Sequence, residues 1–514
     1  MAANYRLPER SGEVLIDPPW EQIPGLLAAG RAAGWGTAEI LGIPLAEFRR
    51  QLRLRALALA ARSGPAAASD RPWVVMAHQP VFFHPGVWMK YFLLSRLSSD
   101  LEATGLHLIV DSDATGPITA EIPSRRDGLV RAAETLLPIP DDVPLEALGA
   151  PRPEEWDGFC RHVRADLSTL PSREPLEHFD IFAGGWTEAR EGAGTLAGFL
   201  AGLRRVYETR ALPPRYLELP VSALCDTAEF RAFALHLIRD PDEIRRRYNA
   251  TLEEYRRVHR LRSAANPFPN LGDAGGLAEM PFWMVRDGRR QDLYARRDGS
   301  RLRLGTSSGV LVEVSPDWAG AHALAASGIV LRPKAITFTM FARLGLSDLF
   351  LHGVGGGRYD RVTDVLIAEI FGCTPPPYVV ATATVHLPLG EESRAEDARA
   401  LERRLMDLQH NPERYLGTTS EAQRRLVEEK WALIHAAEQM RPGPERRAVA
   451  QRIRALNGAL AEGLAAEITR LRDRLAGLSR RLETEEVVSY RGYPFFLFDP
   501  AAVCALASPP VCRA

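Results

Sequence analysis

The stretch WVVMAHQPVFFHPGVWMKYFLLSRL (residues 73–97) decides the fold, because it changes from an apolar run to a helical pattern across one polar loop. The stretch LHLIVDSDATGP (106–117) follows it and repeats the change from an apolar run to polar residues. Short apolar runs that alternate with helix-like stretches predict βαβ units and a parallel, doubly wound sheet. Ligands of such sheets bind beyond the carboxyl ends of the strands, where both polar segments fall.

The loop after the first predicted strand is the first candidate site. His78, Gln79 and His84 lie in this loop, and Lys90 lies in the helix that follows it. Backbone amides, a glutamine and two imidazoles at the start of a helix can hold an anion. The alternative is a structural loop in which both histidines only shape the turn and the lysine lies on the surface.

Two aspartates, Asp111 and Asp113, follow the second predicted strand. Such a pair could grip ribose hydroxyls, bind Mg²⁺ or a substrate amine, or act as a general base. If the strand continued, the spacing would put both side chains on one face. An Asx turn followed by a helix cap from Thr115 is the structural alternative, and it needs only one aspartate.

A third candidate group lies where the apolar run LFL (349–351) meets a glycine-rich turn. Glycines let a backbone approach a ligand, and the amides of a helix expected to start near Asp360 would attract phosphate or carboxylate. Arg332 and Lys334 would add positive charge if the chain folds back, and a solvated strand edge is their alternative. The turn matches neither the Walker A spacing nor GxGxxG. The candidate ligand-binding residues are His352, Gly353, Gly355, Gly356, Gly357, Arg358, Tyr359 and Asp360.

The 514 residues are too many for one ordinary core and predict several parts. The predicted fold class is α/β, with a doubly wound parallel sheet, a helical insertion and a C-terminal antiparallel coiled-coil arm. Asp-Gly turns in FWMVRDGRRQDLYARRDGSRL (282–302) predict hairpins. The predicted parts are an N-terminal helical cap and linker (1–70), an α/β core (71–390) with a helical insertion at about 150–265, the arm (395–487) and a tail that packs back on the core (488–514).

Apolar residues from Ile453 to Leu482 recur at steps of three and four that alternate apart from one stutter, which is typical of a coiled-coil seam. An earlier helix around Trp431 precedes MRPGPE (440–445), a natural reversal. Two antiparallel helices with an apolar seam predict a homodimer through the arm.

Composition excludes some classes of partner and location. A net charge of -1 without a local basic patch argues against a nucleic-acid partner. No signal peptide and no apolar run long enough to span a bilayer is visible, so no membrane partner and a cytoplasmic location are expected. The five scattered cysteines predict reduced, structural thiols: Cys160, Cys225, Cys373, Cys504 and Cys512.

The order of these parts resembles the bacillithiol biosynthesis cysteine-adding enzymes across residues 72–500. The resemblance implies a Rossmann-like core that binds a nucleotide and a coiled coil used for dimerisation. It also implies that cysteine is joined to the amine of glucosaminyl malate. ATP or ADP is therefore the expected cofactor, with Mg²⁺ as a further candidate, and no residue is assigned as a metal ligand.

By motif, the resemblance places Gln79 in the family's glutamine loop and Asp111 and Asp113 in its acidic strand end. It places Arg332 in the Leu-Arg-Pro segment and Gly355 to Gly357 in the glycine turn. The sequence departs from the family at Ser112, where the family has a histidine, and in a first loop with fewer glycines.

The leading hypothesis is a carbon-nitrogen ligase acting on a small-molecule substrate. Either aspartate would hold or deprotonate the acceptor amine, His78 and His84 would stabilise developing charge, and Arg332 with Arg358 would clamp carboxylate or phosphate. A second hypothesis is a metal-dependent hydrolase with His78, His84, Asp111, Asp113 and His352 as ligands. A third is a non-catalytic nucleotide-binding scaffold that dimerises through the coiled coil.

Overall fold

The structure is a computed structural model of the 514-residue chain. It describes residues 5–32, 34–60, 70–126, 128–261, 263, 266–389, 395–416, 420–438, 440 and 443–508, and within helices it leaves out the side chains of 395–400 and 476–485. Part of the predicted linker, Cys512 and the last residues of the predicted tail lie outside the described residues.

Sixteen strands and eighteen α-helices make up the described chain. The strands are β1 (Val14–Asp17), β2 (Glu39–Ile40), β3 (Ile43–Pro44), β4 (Trp73–His78), β5 (Thr104–Ile109), β6 (Ile118–Arg125), β7 (Leu129–Leu137), β8 (Leu217–Pro220), β9 (Asp273–Ala274), β10 (Leu277–Arg286), β11 (Arg289–Asp298), β12 (Arg301–Thr306), β13 (Gly309–Val314), β14 (Val330–Pro333), β15 (Leu349–His352) and β16 (Tyr378–Ala383). The helices are α1 (Ile23–Ala32), α2 (Leu45–Ala60), α3 (Pro85–Asp100), α4 (Pro153–Leu167), α5 (Glu174–Ala183), α6 (Trp186–Glu191), α7 (Leu196–Glu208), α8 (Val221–Cys225), α9 (Ala228–Leu237), α10 (Pro241–His259), α11 (Trp318–Ala326), α12 (Ala335–Gly345), α13 (Val354–Phe371), α14 (Ala395–His410), α15 (Glu421–Glu438), α16 (Pro444–Ala461), α17 (Ala465–Val488) and α18 (Pro500–Leu506).

The chain divides into two compact units. Unit 1 comprises Met1–Ser124, Arg131–Leu387 and Arg491–Ala514, and unit 2 comprises Arg125–Val130 and Pro388–Tyr490. Among the described helices, none combines the length and the apolar character that a bilayer crossing requires.

Unit 1 is a mixed α/β structure built on a six-stranded sheet, as predicted. The strand order is β1-β16-β15-β4-β5-β8, and every neighbouring pair is parallel except β1 with β16. From β4 the chain builds outward through β5 to β8, and the later strands β15 and β16 lie on the other side of β4. The order therefore reverses between β4 and β15, and a crevice opens beyond their carboxyl ends.

The predicted strands and helices around the first polar loop are confirmed as β4, α3 and β5. The predicted alternation of strands with helices does not continue after Asp113, because β6 and β7 form a separate two-stranded sheet there. Ala, Glu and Leu favour a helix in LVRAAETLL (129–137), but pairing along the hairpin overrides this propensity. Arg126 N–H donates to the carbonyl of Gly128 in the connection.

The predicted Asp-Gly hairpins are confirmed in a second sheet with the order β13-β12-β11-β10-β14. Asp287 and Gly288 both have positive φ, 51° and 70°, which is the turn geometry that matches the twist of two antiparallel strands. β14 pairs with β10 on the other side, so the segment containing Arg332 becomes part of this sheet.

The first sixty residues contain more than a helical cap. The predicted helix is present as α2, but β1 precedes it and extends the main sheet by pairing with β16. Within the region predicted as a helical insertion, α4 to α10 are helices, and β8 joins the edge of the main sheet beside β5.

Unit 2 contains the four helices α14 to α17. α15 packs against α16, and α14 packs against α17. The predicted continuous seam is interrupted, because α16 ends at Ala461 and a 3₁₀ turn at Glu462–Leu464 precedes α17. Leu464, Ile468 and Leu471 of the predicted seam are buried against Leu408, whereas the side chains of Leu478 and Leu482 lie outside the described residues. A coiled coil stays a prediction.

A cationic cleft at the reversal of strand order

A cleft of about 720 Å³ lies in unit 1 beyond the carboxyl ends of β4 and β15. Its walls come from the loops after β4 and β5, the starts of α3, α12 and α13, and the β10–β11 hairpin. Most of the predicted site residues line it: His78, Gln79, His84, Lys90, Asp113, His352, Gly353, Gly355, Gly356, Arg358, Tyr359 and Asp360.

The two histidines of the first loop are held in different hydrogen-bonding states. His78 Nδ1 lies 2.9 Å from the carbonyl oxygen of Gln79, so this nitrogen carries the proton. His84 Nδ1 instead accepts from Gly86 N–H at 3.1 Å and caps α3, which leaves its proton on Nε2. Burial, with Lys90 nearby, lowers the pKa of His78 to about 3, and burial with Arg491 lowers that of His84 to about 4. Both rings are therefore neutral near pH 7.

The apolar residues of the same loop have a structural role. Phe82 stacks on Phe159 with ring centroids 5.3 Å apart, and Phe83 stacks on Phe495 at 5.0 Å. The Phe495 N–H also donates to the carbonyl of Phe83 at 2.8 Å. These contacts hold the tail of unit 1 against the loop and fix the position of the histidines on either side.

Lys90 is buried in α3 with no hydrogen-bonding or ionic partner among the described residues. Its relative exposure is 3%, and a methyl group placed on Gly353 would lie 3.4 Å from its Nζ. Burial lowers the pKa of its ammonium to about 8. An unpaired charge of this kind is costly to bury, and such groups cluster at functional sites.

A comparison with the other lysines supports this interpretation. Of the 64 basic residues in the chain, only three are lysines. Lys334 pairs with Glu279 and Asp292, and Lys430 pairs with Glu413 at 2.8 Å. Lys90 is thus the lysine whose ammonium has no acidic partner among the described residues.

The N-terminus of α13 faces the same cleft. α13 begins at Val354, so the prediction of a start near Asp360 is wrong, and the glycines belong to its first turn. Gly353 is the N-cap without a side-chain cap, and the N–H groups of Val354, Gly355 and Gly356 precede the first helical bond, Gly357 N–H to Gly353 carbonyl. These amides are available to an anion.

His352 and Asp360 form a buried pair behind these amides. His352 Nε2 lies 2.7 Å from Asp360 Oδ2, which also accepts from Arg343 Nη1 at 2.7 Å. Burial alone would raise the pKa of Asp360, but Arg343 and His352 outweigh it and hold that pKa well below its usual range. Asp360 is therefore an internal ion partner and leaves no charge free for a ligand.

Asp113 links three elements at the rim of the cleft. Its Oδ2 accepts from Gln79 Nε2 at 2.9 Å, and its Oδ1 accepts from Arg290 Nη1 at 2.7 Å. Arg290 in turn lies over the ring of Trp283, with its guanidinium carbon 4.7 Å from the centroid. Asp113 therefore joins the loops after β4 and β5 to the β10–β11 hairpin.

The carboxylates of Asp111 and Asp113 have different hydrogen-bonding partners. β5 ends at Ile109, so the strand alternation does not continue, and Asp111 turns to Ser222, whose N–H and hydroxyl both donate to its carboxylate. Burial raises the pKa of Asp111 to about 6, and these hydrogen bonds only partly offset the rise. Asp111 fastens the start of α8 and does not line the cleft.

Three further candidates serve the scaffold. Arg332 pairs with Glu146 at 2.6 Å and with Asp226 at 2.8 Å, and Lys334 is paired within the second sheet. A methyl group on Gly357 would lie 2.3 Å from Val380 Cγ2, so this glycine allows α13 to pack closely on β16. Neither cation nor Gly357 lines the cleft.

Arg290 and Arg491 line the cleft but were not among the residues selected from sequence. Arg290 lies beside an Asp-Gly turn, which gave only a structural signal, and Arg491 lies in a tail that is remote in sequence. Arg491 Nη2 donates to the carbonyl of Ala383 at 3.0 Å. Among the described lining residues four are basic and two are acidic, so the cleft is cationic.

The predicted metal ligands do not converge. In the part of the chain that the structure describes, no group of three or more His, Cys, Asp or Glu side chains could hold a metal ion. Asp111 is bound to Ser222, and Asp113 is bound to Arg290.

No family model matches this chain. A search of curated proteins found no match either.

Proposed function

We propose that unit 1 is an enzyme that binds an anionic small molecule in the cleft and joins a carboxyl group to an amine. The proposed reaction class is that of a carbon-nitrogen ligase, following the resemblance to the cysteine-adding enzymes. An amino acid such as cysteine is the proposed donor, and the amine of a small sugar-derived molecule is the proposed acceptor.

The observation that carries the proposal is that the Lys90 ammonium lies beside the N-terminus of α13. A buried ammonium and the positive end of a helix lie side by side, with Lys90 Nζ against Gly353 and no acidic side chain among the described residues paired with it. Both charges have the same sign, so this arrangement is unfavourable until a carboxylate or phosphate neutralises it.

The remaining polar groups supply distinct roles around the proposed anion. The Nε2–H of neutral His84 is a donor that can stabilise a developing oxyanion. Arg358 lies in the first turns of α13 and can contact the same anion, although its Nη2 already donates to the Tyr5 carbonyl at 2.9 Å. Asp113, already paired with Arg290, fits a positioning role better than that of a general base.

Further proposals concern architecture, cofactors and assembly. The reversal of strand order between β4 and β15 supports a Rossmann-like core. ATP or ADP, with Mg²⁺ carried on its phosphates, fits an anion site at a helix N-terminus. Trp431, 43% exposed, and Met406, 62% exposed, lie on unit 2 and support self-association of the chain through this unit.

The small number of lysines allows a direct test of the anion site. Protein labelled with ¹³C at lysine Cε gives signals from only three lysines, and the Lys90→Met variant assigns one of them. We expect inorganic phosphate to shift the Lys90 signal and to raise its pKa from about 8, because a bound anion stabilises the ammonium. Phosphate affinity should fall above this pH and should be lost in Lys90→Met.

The signals of Lys334 and Lys430 are internal controls, since both ammonium groups are already paired. Phosphate should leave both unchanged, and Lys90→Arg should retain part of the affinity. A Lys90 signal that titrates at the ordinary value and ignores phosphate would contradict the proposal.

A further inference from the structure

His352 is held more firmly than the other histidines of the cleft. It ends β15, and its ring packs against Phe350 and Tyr378, with centroids 4.5 and 5.3 Å away. Its relative exposure is 7%, and that of its partner Asp360 is 2%. A side chain that is fixed by packing and by a buried carboxylate keeps one orientation.

The partners of the ring decide where its proton lies. Asp360 stays ionised because Arg343 donates to the same oxygen, and an ionised carboxylate can only accept. His352 Nε2 therefore carries the proton, and in the neutral ring Nδ1 has the free lone pair. Nδ1 has no hydrogen-bonding partner among the described residues.

Nδ1 is directed at the first turn of α13. A methyl group on Gly356 would lie 2.6 Å from Nδ1, closer than from any other atom of the ring. The free amides of this turn and Lys90 Nζ, which borders Gly353, surround the same end of the cleft. A group of a ligand that sits beside the bound anion would thus come near Nδ1.

Neither of the other two histidines accepts a proton readily near neutral pH. Burial and nearby cations hold the pKa values of His78 and His84 at about 3 and 4. His78 is oriented only by a backbone carbonyl, and the Nδ1 of His84 is already occupied by the Gly86 amide. His352 is the histidine of the three that has a carboxylate partner.

We propose that His352 Nδ1 is the general base of the reaction and that Asp360 is its positioning residue, an inference that rests on the proposed function. The acceptor amine forms a bond to the acyl carbon of an acyl phosphate donor while its N–H proton passes to Nδ1. The bond from that carbon to the phosphate oxygen then breaks, and the leaving phosphate takes the proton from Nδ1. The dyad Asp360–His352 thereby returns to its starting state.

Acylation by diethyl pyrocarbonate tests the dyad without knowledge of the substrate, because this reagent attacks unprotonated imidazole nitrogen. Mass spectrometry of the folded chain at neutral pH should find His352 acylated faster than His78. Gly356→Ala should slow this acylation several-fold because its methyl covers Nδ1, and Gly355→Ala is the matched control. Asp360→Asn should also slow it and should redistribute the ring proton, as measured by ¹⁵N NMR of histidine-labelled protein.

Asp360→Asn removes one of the two carboxylates that pair with buried Arg343, the other being Asp364, and could unfold the chain. Gly356→Ala and the wild-type ¹⁵N spectrum therefore decide the question without it. A His352 ring that carries its proton on Nδ1, or that reacts more slowly than His78, would overturn the dyad. Inorganic phosphate separates the two proposals. If phosphate fails to slow acylation while His352 stays reactive, the proposed anion site is wrong and the proposed dyad stands. If phosphate binds but His352 is unreactive, the anion site stands and the dyad is wrong.

Discussion

At the scale of single residues, Lys90 is the strongest evidence for function. Desolvation of an unpaired ammonium works against folding, so a site that only needed stability would place an apolar side chain there. The polar loop before Lys90 makes this position a candidate from the sequence alone. Its burial and its missing partner cannot be predicted from the sequence, since both depend on elements that are distant along the chain.

Lys90→Met should stabilise the protein at neutral pH while removing the proposed anion site. The pKa of Lys90 in the folded chain is about 8 and the ordinary value for lysine is 10.5, a difference that corresponds to on the order of 3 kcal/mol. Between these pH values the unfolded state binds more protons than the folded state, so wild-type stability should rise with pH. Urea unfolding of both proteins should reveal this rise, and Lys90→Met should lack it. A variant less stable than wild type would contradict this account.

For the two aspartates, the spacing in the sequence predicts their position but not their roles. Sequence analysis placed Asp111 and Asp113 beyond a strand end, and both lie there. Their separate roles depend on Ser222 and Arg290, which come from elements more than a hundred positions away in the chain. The two carboxylates do not lie on one strand face, because β5 ends two residues before Asp111.

At the scale of elements, α13 combines a turn that lines the cleft with a packing contact on β16. Gly357→Ala should destabilise unit 1 by about 1–3 kcal/mol, because the new methyl would overlap Val380. Gly355→Ala meets nothing within 4 Å and should be neutral or stabilising by up to about 1 kcal/mol. Thermal unfolding of the two variants measures this difference, and equal effects would show that α13 does not pack as described.

The same element shows why helix starts are hard to read from sequence. Several glycines in a row lower helix propensity, so the pattern favoured a loop up to Asp360. Packing of α13 on β16 and the ion pairs of Asp360 compensate for that propensity. The β6–β7 hairpin is the opposite case, because its residues have high helix propensity but form strands.

At the scale of the whole molecule, unit 1 is discontinuous in sequence. Its tail returns after unit 2 and buries Tyr493, Phe495 and Phe496, the two phenylalanines among the rings of α3, α5, α7 and the first loop. Composition and hydrophobic pattern predicted an aromatic tail that packs on the core, but could not identify which loop receives it.

A chain truncated after Leu387 should therefore fail to fold stably, because each buried aromatic side chain contributes about 1.5–3 kcal/mol. A chain in which a flexible Gly/Ser linker replaces 388–490 should keep unit 1 folded, since Arg491 already contacts Ala383. Circular dichroism and the Lys90 phosphate titration check both chains. Equal stability of the two would mean that the tail is dispensable.

This discontinuity also sets the order of events during translation. The cleft is lined by Lys90 from an early segment of the chain and by Arg491 from a late one. Phe495, also from the late segment, packs against the loop that follows β4. A nascent chain can form the early strands on the ribosome while the last support for His78 and His84 is still unsynthesised. Until the segment with Phe495 and Arg491 is synthesised, the cleft therefore lacks one of its cations and the contacts that hold its first loop.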